Sequence, residues 1–541
     1  MMLRKMILGA AACVSLAGCE AAGDPLCVVP DLAQAKQNLG NIEDHSLADL
    51  AQMMERGETS SEAIVGAYID RIEALDDAEG GPRLNAVIAL MPDALETARW
   101  SDENRCYSGT TDVLQGIPLL VKDNIEVAGP VPTTAGSTAL SDNVTGRDAP
   151  LIRRLKDAGA IILGKTNLSQ WANFRSNNST SGWSAVGGLV KNPHRLPYNS
   201  CGSSSGSGSA MAASLAAGTI GTETDGSIIC PSSANGVVGL KPTVGLVSRR
   251  HIVPISHTQD TAGPMTRTVR DAAMMLSAMA GTDPQDAATA EADAQVSDYA
   301  SALSTDALNG MRIGVMRSQV GDNPAIVEQF DAALAVMEQQ GAILVEIPDR
   351  GISDADQEAL GEAEFLILLT EFKADLNAYL ASTPDTVTTR TLADLIAYNT
   401  ASAEVEMPHF GQELFLQAQE QPGLTDPRYL EALKTTKRIA GAQGIDRLLR
   451  ENNVEVLVSP TLGPAWKSTL GDGDTFAGPS ASWLPATSGY PHLTVPMGAI
   501  DNLPVGISFY AGKWSEGLLL NAGYAYEQAS KARATPQFLP E

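Results

Sequence analysis

The sequence predicts an α/β layered fold made of one large domain. Short apolar runs of strand length alternate with longer helical patterns, 44% of the 541 residues are hydrophobic, and no internal repeat is found. The length alone would accommodate about three domains of ordinary size. Because the alternation continues along the whole chain, we expect a single domain in which the acidic stretch 283–298 forms a surface excursion.

The N-terminus has the features of an export signal. Arg4 and Lys5 precede an apolar run, residues 6–16, which is shorter than the roughly 20 residues that a membrane-spanning helix needs. The following Leu16-Ala17-Gly18-Cys19 resembles the lipobox of bacterial lipoproteins, which implies cleavage before Cys19 and lipidation of its thiol. An ordinary signal peptide with a cysteine near the cleavage site is the alternative.

This segment sets the expected domain organisation. We expect a signal peptide at 1–18, a lipid-anchored tether at 19–45 and the folded domain at 46–541. The glutamate after Cys19 favours the outer membrane, facing the periplasm of a Gram-negative bacterium. No later segment is long and apolar enough to cross a membrane, so we expect membrane association through the N-terminal lipid only.

Local patterns predict the individual elements. Helices begin near Ser46 and Thr59, and Thr59 with Glu62 matches a capping box. Further helical patterns cover 148–158, 210–217, 354–381 and 429–452. Strand candidates are 117–121, 160–163, 219–224, 311–315, 343–347, 454–458, 493–495 and 506–510.

The charge balance excludes one class of partner. The chain has 37 basic and 64 acidic residues, a formal net charge of −27, which becomes −29 once the signal peptide removes two basic residues. Nucleic-acid binding needs a basic surface, so no nucleic-acid partner is expected. Charged residues make up only 19% of the chain, which argues against disorder.

The cysteines indicate at least one possible disulfide. Cys27, Cys106, Cys201 and Cys230 remain for an oxidising compartment, and four cysteines allow three pairings. We favour Cys27 with Cys106, since both lie in polar, loop-like sequence. The alternative is that some of the four are buried thiols.

The segment Ser200-Cys-Gly-Ser-Ser-Ser-Gly-Ser-Gly208 has the most unusual composition. A flexible linker is the simplest interpretation. However, the segment opens directly into an alanine-rich helical pattern, where glycines let backbone N–H groups approach a ligand closely. It is neither a P-loop nor a dinucleotide-binding fingerprint.

Two further elements could supply nucleophilic chemistry. Ser227 lies 24 positions after Ser203 in a turn rich in Gly, Ser and Thr, which can present a nucleophile beside an oxyanion site. Lys122 ends an apolar run and precedes Asp123, whose side chain should point to the opposite face. A lysine without a carboxylate on its own face would have a lowered pKa and act as a base. The simpler alternatives are a turn or cap serine and a lysine that reaches solvent.

Together these residues resemble the amidase signature family of serine hydrolases. Lys122, Ser203 and Ser227 match it in order and spacing. The resemblance continues along most of the chain through Gly236-Val-Val-Gly-Leu-Lys-Pro-Thr243, Gln259-Asp-Thr-Ala-Gly-Pro-Met265, Thr494-Val-Pro-Met-Gly498 and Leu503-Pro-Val-Gly506. No single piece is specific, but the combination is.

Within the family the chain is most similar to bacterial peptide amidases, which remove a C-terminal amide from peptides. The segments Gly164–Arg175, Thr222–Pro231 and Tyr524–Ser530 carry this closer likeness. One position departs from the pattern, since Ile229 stands where many members have arginine two residues after the nucleophile. We therefore expect other contacts to organise the site around Ser227.

The resemblance implies a fold and a mechanism. It implies one α/β domain with a mixed β-sheet core covered by helices on both faces. It implies a catalytic triad of Lys122, Ser203 and Ser227, an acyl-enzyme, and a cis peptide bond at Gly202–Ser203. Backbone N–H groups of Thr224, Asp225, Gly226 and Ser227 would form the oxyanion hole, and Gly202 and Ser204 would support the geometry. No cofactor and no metal are expected, since the six histidines do not cluster.

The residues that bind substrate are less clearly indicated. Trp171, Asn173, Phe174 and Arg175 would line a peptide site, but Trp171 and Phe174 have equally the spacing of core aromatics. Small aliphatic or aryl amides are the alternative to peptide amides.

Other function classes remain possible from the sequence. Gly202-Ser-Ser204-Ser-Gly206 matches the nucleophile elbow of α/β-hydrolases, which would make Ser204 the nucleophile of an esterase. A non-catalytic, amide-binding lipoprotein is a further alternative. The amidase component of a tRNA-dependent amidotransferase shares the family, but the export signal argues against it.

Overall fold

The computed structural model describes residues 29–108 and 113–541. The described strands are β1 Val87–Leu90, β2 Pro118–Lys122, β3 Ile161–Thr166, β4 Trp183–Ser184, β5 Gly188–Leu189, β6 Gly218–Glu223, β7 Val238–Lys241, β8 Thr261–Thr266, β9 Arg312–Met316, β10 Ile343–Ile347, β11 Val456–Pro460, β12 His492–Ile500 and β13 Leu503–Tyr510. The helices of the first half are α1 Leu32–Leu39, α2 Leu47–Glu55, α3 Ser61–Ile72, α4 Ala94–Ser108, α5 Pro150–Asp157, α6 Ser205–Ala212, α7 Ile229–Ala234 and α8 Val269–Met279. Those of the second half are α9 Pro324–Gln339, α10 Asp354–Ala381, α11 Leu392–Ala401, α12 Ala403–Glu406, α13 Glu413–Gln419, α14 Pro427–Thr436, α15 Asp446–Asn452, α16 Trp483–Ser488 and α17 Glu516–Ser530.

An 11-stranded mixed sheet runs through the domain. Its strand order is β1-β3-β2-β6-β8-β7-β12-β13-β11-β9-β10, while β4 and β5 form a separate hairpin. Strands β3, β2 and β6 are parallel to one another, as are β11, β9 and β10, and antiparallel pairs join the two groups. The predicted α/β fold with a mixed sheet is confirmed.

Helices cover both faces of this sheet. In β12, Leu493 and Val495 contact α17 at Gly523, whereas Thr494 lies beside Gly506 on the side that carries Ser233 of α7. Since successive side chains of a strand point to opposite faces, α17 and α7 lie on opposite faces of the sheet. The strands between them are almost completely buried.

The sheet places two strand ends side by side. β2 and β6 are parallel neighbours, with Val121 paired to Ile220, so their C-terminal ends meet at the same edge. Lys122 is the last residue of β2, and Glu223 is the last residue of β6. Helices α6 and α7, which follow the Gly/Ser segment and the Ser227 turn, contact each other and the central strands.

The predicted tether, residues 19–45, extends too far toward the C-terminus. Residues 32–44 form α1 and a short 3₁₀ turn, and Leu39 and Ile42 are buried in the main hydrophobic core. The described fold therefore includes residues that the sequence assigned to the tether. The first part of the predicted tether, and the signal peptide, lie outside the described residues.

Several predicted element boundaries also differ. The helix after Thr59 is capped by Ser60, whose side chain accepts from Ala63 N, so the predicted Thr59 box is wrong. Helix α6 starts at Ser205 rather than 210, and the predicted helix 429–452 is divided by a π-helical stretch, Lys437–Ile445. In the predicted surface excursion, Asp283 and Asp286 are buried and paired with Arg250 and Arg249.

Cys201 and Cys230 form a disulfide with their Cα atoms 5.9 Å apart. The favoured pairing of Cys27 with Cys106 concerns side chains outside the described residues. Among the described helices, none combines the length and the apolar character that a bilayer crossing requires.

Candidate active site

Lys122 and Ser203 meet in the interior of the protein. The Lys122 side chain is fully buried, and its Nζ lies 2.8 Å from Ser203 Oγ, 2.9 Å from Thr222 Oγ1 and 3.3 Å from Thr222 O. Asp123 points to the other face, where its carboxylate pairs with Lys165 at 2.9 Å. The strand alternation predicted for Lys122 and Asp123 is therefore observed.

Burial changes the acid–base character of Lys122. Desolvation lowers the pKa of Lys122 from 10.5 to about 7, and Asp260 and Glu223 only partly oppose it. Burial disfavours the ammonium form because a charge loses its hydration in the interior. A neutral amine has a lone pair, so near pH 7 Lys122 can accept a proton from Ser203.

The Gly/Ser segment holds Ser203 against this lysine. The Gly202–Ser203 peptide bond is cis, as the resemblance implied. Ser203 O accepts from Ser169 N at 3.0 Å. A Cβ atom at Gly202 would collide with Ser169 Oγ and lie 2.9 Å from Ser181 Oγ, so this position has no room for a side chain.

Ser204 has a bracing role in this geometry. Its Oγ donates to Thr222 O at 3.1 Å and accepts from Thr222 N at 3.2 Å, and the residue is fully buried. These two bonds connect the start of α6 to β6. The α/β-hydrolase elbow predicted a reactive Ser204, and the structure contradicts it because both functions of this hydroxyl are already used.

Ser227 lies at the end of the turn that connects β6 to α7. The turn passes through Gly226, whose φ of +77° is readily adopted by glycine. Ser227 keeps 8% of its surface exposed, whereas Ser203 is fully buried. Ser204 N donates to Ser227 O at 3.2 Å, which places the two serine segments side by side.

Glu223 organises this turn, and the sequence did not single it out. Its Oε2 accepts from Ile228 N at 2.8 Å and from Ile229 N at 3.0 Å. The carboxylate thus fixes the backbone directly after Ser227. Glu223 therefore provides the contact that we expected from another residue, since Ile229 replaces the arginine of many family members. The only sequence signal for this role is an acidic residue five positions before Ile228.

The turn also presents free backbone donors. In the described part of the chain, the N–H groups of Asp225 and Ser227 donate to no backbone carbonyl. Backbone donors of this kind can stabilise an oxyanion if they point at its position. The predicted oxyanion residues Thr224, Asp225, Gly226 and Ser227 all belong to this one turn.

Two carboxyl groups lie close to the turn. Burial and the neighbouring Glu364 raise the pKa of Asp225, whose Oδ1 has no hydrogen-bond partner. Burial also raises the pKa of Glu364, which accepts from Trp483 Nε1 at 2.6 Å and from Gln259 Nε2 at 3.0 Å. The raised pKa values of Asp225 and Glu364 favour a protonated, neutral carboxyl group beside the turn that carries Ser227.

A cavity of about 450 Å³ lies beside Thr222, the residue that contacts Lys122, while Ser203 and Ser227 are not among the residues that line it. Asn124, Thr222 and Thr224 form the wall nearest to Lys122. The opposite walls come from the loop that precedes β8 and from α10, and include Val253, Ile255, His257, Asp375 and Tyr379. None of these residues was predicted to bind substrate, so the sequence did not identify this cavity.

Three of the four predicted substrate residues are buried among aromatic side chains. Trp171 packs edge-on against Phe415 with ring centroids 5.8 Å apart, and Phe174 packs against Phe372 at 5.0 Å. Arg175 is fully buried and lies over Phe410 at 4.4 Å. These three side chains pack against aromatic neighbours, and none of them lines the cavity.

Asn173, the fourth predicted residue, has a polar neighbour, and the adjacent Ala172 faces the cavity. Asn173 Nδ2 donates to Ser181 Oγ at 2.9 Å. Helical spacing could not separate the two possibilities, because a core aromatic and a pocket aromatic have the same periodicity.

His257 takes part in an ion-pair network on the cavity wall. Its Nδ1 lies 2.8 Å from Asp375 Oδ2 and its Nε2 lies 3.4 Å from Glu371 Oε1. The hydrogen bond with Asp375 is the main cause that raises the pKa of His257. Glu371 already accepts from Tyr429 Oη and Ser256 Oγ, so this cluster is satisfied by protein donors.

Comparison with known proteins shows the family to which this chain belongs. The family model Amidase matches residues 63–520. The native peptide amidase of Stenotrophomonas maltophilia is 48% identical with a TM-score of 0.86, and the match covers 92% of this chain and 99% of that one. A peptide amidase in complex with the competitive inhibitor chymostatin has a TM-score of 0.87 at 48% identity, covering 91% and 99%.

Sequence relatives extend the similarity to other amidases. A probable amidase of Arabidopsis thaliana is 38% identical over 508 residues, 92% of each chain. A glutamyl-tRNA(Gln) amidotransferase chain of Pseudomonas savastanoi is 33% identical over 494 residues, 90% of this chain and 97% of the relative. The chain belongs to the amidase family, and it is an amide-hydrolysing enzyme.

Proposed function

We propose that this enzyme hydrolyses the C-terminal carboxamide of peptides to a carboxylate and ammonia, with Ser227, Ser203 and Lys122 as catalytic residues. The observation that carries the proposal is the fully buried Lys122 amine at 2.8 Å from Ser203 Oγ. A buried base next to one serine, with a second serine on the adjacent turn, is an arrangement suited to acyl transfer.

The proposed roles of these residues define the first half-reaction. Ser227 Oγ attacks the amide carbonyl carbon and passes its proton to Ser203 Oγ, while the proton of Ser203 moves to the Lys122 amine. The carbonyl oxygen becomes an oxyanion near the free N–H groups of Asp225 and Ser227. When the C–N bond breaks, the proton returns from Lys122 through Ser203 to the nitrogen, which leaves as ammonia.

The second half-reaction regenerates the enzyme. Water attacks the acyl-Ser227 ester and transfers a proton through Ser203 to Lys122. Collapse of the intermediate releases the carboxylic acid, and Ser227 Oγ recovers its proton from Lys122 through Ser203. The acid then ionises, and ammonia takes up the proton. Every proton that enters the Lys122–Ser203 pair leaves again, so the cycle uses only substrate and water.

The adjoining cavity supports a peptide substrate. Its volume of about 450 Å³ is in the range of small-molecule sites, and a small aliphatic amide would leave most of it empty. Asn124 Oδ1 and Thr261 Oγ1 are buried on its wall without hydrogen-bond partners. Such atoms suit the N–H and C=O groups of a peptide backbone. The similarity to a peptide amidase at 48% identity favours the same substrate class.

Ammonia release tests the proposal directly. Amidated dipeptides with a blocked N-terminus are compared with free amino-acid amides and benzamide, using wild type and the Ser227→Ala variant. We expect the highest kcat/KM for the peptide amides and a loss of at least about 1000-fold in Ser227→Ala. Turnover of only the small amides would contradict the peptide substrate, and unchanged activity in Ser227→Ala would contradict the assignment of the nucleophile.

Two controls address the other function classes. Ser204→Ala removes two buried hydrogen bonds but no reacting atom, so it should lose much less activity than Ser227→Ala. A non-catalytic binding protein would release no ammonia from any of these amides.

We also propose that the enzyme is exported and anchored to the outer membrane through a lipid on Cys19. The basic residues, the apolar run and the lipobox-like end of the N-terminal segment support this location. The Cys201–Cys230 disulfide fits an oxidising compartment. Incorporation of a fatty-acid label in wild type but not in Cys19→Ser is the expected result, and equal labelling of both would contradict it.

A further inference from the structure

We infer that the Cys201–Cys230 disulfide is a positioning element of the active site, required for full catalytic rate as well as for stability. This inference rests on the proposed roles of Ser203 and Ser227. Cys201 lies two residues before Ser203, and Cys230 lies three residues after Ser227. The covalent loop that it closes therefore contains both serines, helix α6, strand β6 and the nucleophile turn.

The two serines are held by different parts of the fold. Ser203 is fixed on the side of β2 and β3, through Lys122 Nζ at 2.8 Å and Ser169 N at 3.0 Å. Ser227 is fixed through Glu223, which holds the backbone of Ile228 directly after it at 2.8 Å. The relative position of the two hydroxyl groups thus depends on what connects these two segments.

Hydrogen bonds also connect the two segments, and the two bonds between Ser204 Oγ and the backbone of Thr222 are among them. Ser204 N donates to Ser227 O at 3.2 Å, and Asn235 Nδ2 bridges Ser200 O at 2.9 Å and Pro231 O at 2.7 Å. The bond from Ser204 N to Ser227 O is long for an N–H donor. The disulfide adds a covalent connection between the residues next to these contacts, so it limits how far the segments can separate.

The disulfide packs in an apolar cluster and does not line the cavity. Cys201 is 5% exposed and packs in a small apolar cluster with Ala234, Leu462, Ala465 and Trp466. Neither cysteine lines the 450 Å³ cavity. Loss of the bond should therefore change the alignment of the reacting groups more than the binding of the substrate.

The expected effect is on kcat. A displacement of about 1 Å between reacting groups costs about 100-fold in rate. We expect the Cys201→Ala/Cys230→Ala double variant to lose about 10- to 100-fold in kcat, with KM changed by less than about threefold. Because a cross-link also restricts the unfolded chain, the melting temperature should fall as well.

The test separates these two effects. Kinetics are measured well below the melting temperature, at which circular dichroism shows a folded protein, with the amide that the oxidised wild type hydrolyses best. The matched control is Leu462→Ala, which weakens the same apolar cluster but keeps the disulfide. It should lower the melting temperature and leave kcat within about twofold of wild type.

A second measurement covers the case in which the double variant fails to fold. Wild type is reduced under native conditions with a phosphine, which becomes a phosphine oxide as two thiols form, and thiols are counted. Reduced enzyme should show the same loss of kcat, and reoxidation with oxidised glutathione should restore it.

Two results would overturn the inference. One is a folded double variant, or fully reduced wild type, with the kcat of the oxidised enzyme. The other is an equal loss of kcat in Leu462→Ala, which would show that destabilisation alone lowers the rate. A failure of the proposed peptide substrate appears separately, as the absence of peptide-amide turnover in oxidised wild type.

Discussion

The Asn124→Asp substitution tests whether neutral Lys122 is the base. Lys122 Nζ and Asn124 Nδ2 both lie 2.9 Å from Thr222 Oγ1, so the two nitrogens are at most about 6 Å apart. At this distance and an effective dielectric constant of about 20, a carboxylate stabilises an ammonium by about 3 kcal/mol, which corresponds to about two pKa units. The variant should raise the pKa of Lys122 from about 7 to about 9.

This change has a defined kinetic consequence. With a pKa of about 7, half of the Lys122 amines are neutral at pH 7, whereas with a pKa of about 9 only about 1% are neutral. Activity at pH 7 should therefore fall about 50-fold and recover as the pH rises through about 9. The assay is the pH dependence of kcat/KM for ammonia release between pH 5.5 and 10.

The control is Asn124→Ala, which removes the same hydrogen bond without adding charge. It should lower activity at every pH and keep the acid limb of the profile near that of wild type. If Asn124→Asp also leaves the limb unmoved while its rate falls equally at all pH values, Lys122 is not the titrating base and the mechanism is wrong.

Three further substitutions address other parts of the site. Gly202→Ala should lower kcat by at least about 100-fold, because its Cβ would lie 2.9 Å from Ser181 Oγ; wild-type kinetics would show that the segment can shift. Glu223→Ala should destabilise the protein by about 2–6 kcal/mol in chemical denaturation, since two buried N–H groups lose their acceptor, and a change below about 1 kcal/mol would contradict this. His257→Gln should lower the melting temperature most below about pH 6.5, where protonated His257 pairs with Asp375 and Glu371 despite the nearby Arg249. As the pH rises through the raised pKa of His257, this stabilisation is lost, so the difference from wild type should shrink toward pH 8.5; a constant difference would refute it.

The sheet could be predicted because its strands have a direct sequence signal. Runs such as 117–121 and 343–347 are apolar, short and separated by helical patterns, and strands occur at or within a few residues of these positions. Hairpin-like and irregular strands such as β7 and β8 have no such run, because glycine, proline and lysine interrupt them. Their place in the sheet depends on neighbours that are distant in sequence.

Some predicted boundaries were wrong because the local sequence is compatible with two different structures. Thr59 and Ser60 are both good caps, and the choice of Ser60 depends on Asp102, whose carboxylate accepts from the next two N–H groups, Ser61 N and Glu62 N. The region 32–45 is polar enough to resemble a tether, yet Leu39 finds a place in the core. Such tertiary contacts cannot be predicted from the local sequence pattern.

The residues of the candidate site likewise fall into those that the sequence could predict and those that it could not. The residues with motif spacing, Lys122 and Ser203, are brought together as the resemblance implied. Glu223 and the cavity wall were missed, because their roles depend on which backbone groups and side chains face them in the fold. For Trp171 and Phe174 the sequence left two alternatives open, because an aromatic side chain gives the same pattern in a core as in a pocket.

Helix α6 couples activity to completion of the fold. Its eight residues include two glycines and three serines, so its intrinsic helix propensity is roughly 3 kcal/mol poorer than that of polyalanine. Contacts with β6 and α7 impose its helical form, since all eight residues are buried. The segment that presents Ser203 therefore becomes ordered only when the central sheet is assembled around it. Amide hydrolysis should therefore require the whole domain to be folded, and we expect partly folded chains to be inactive.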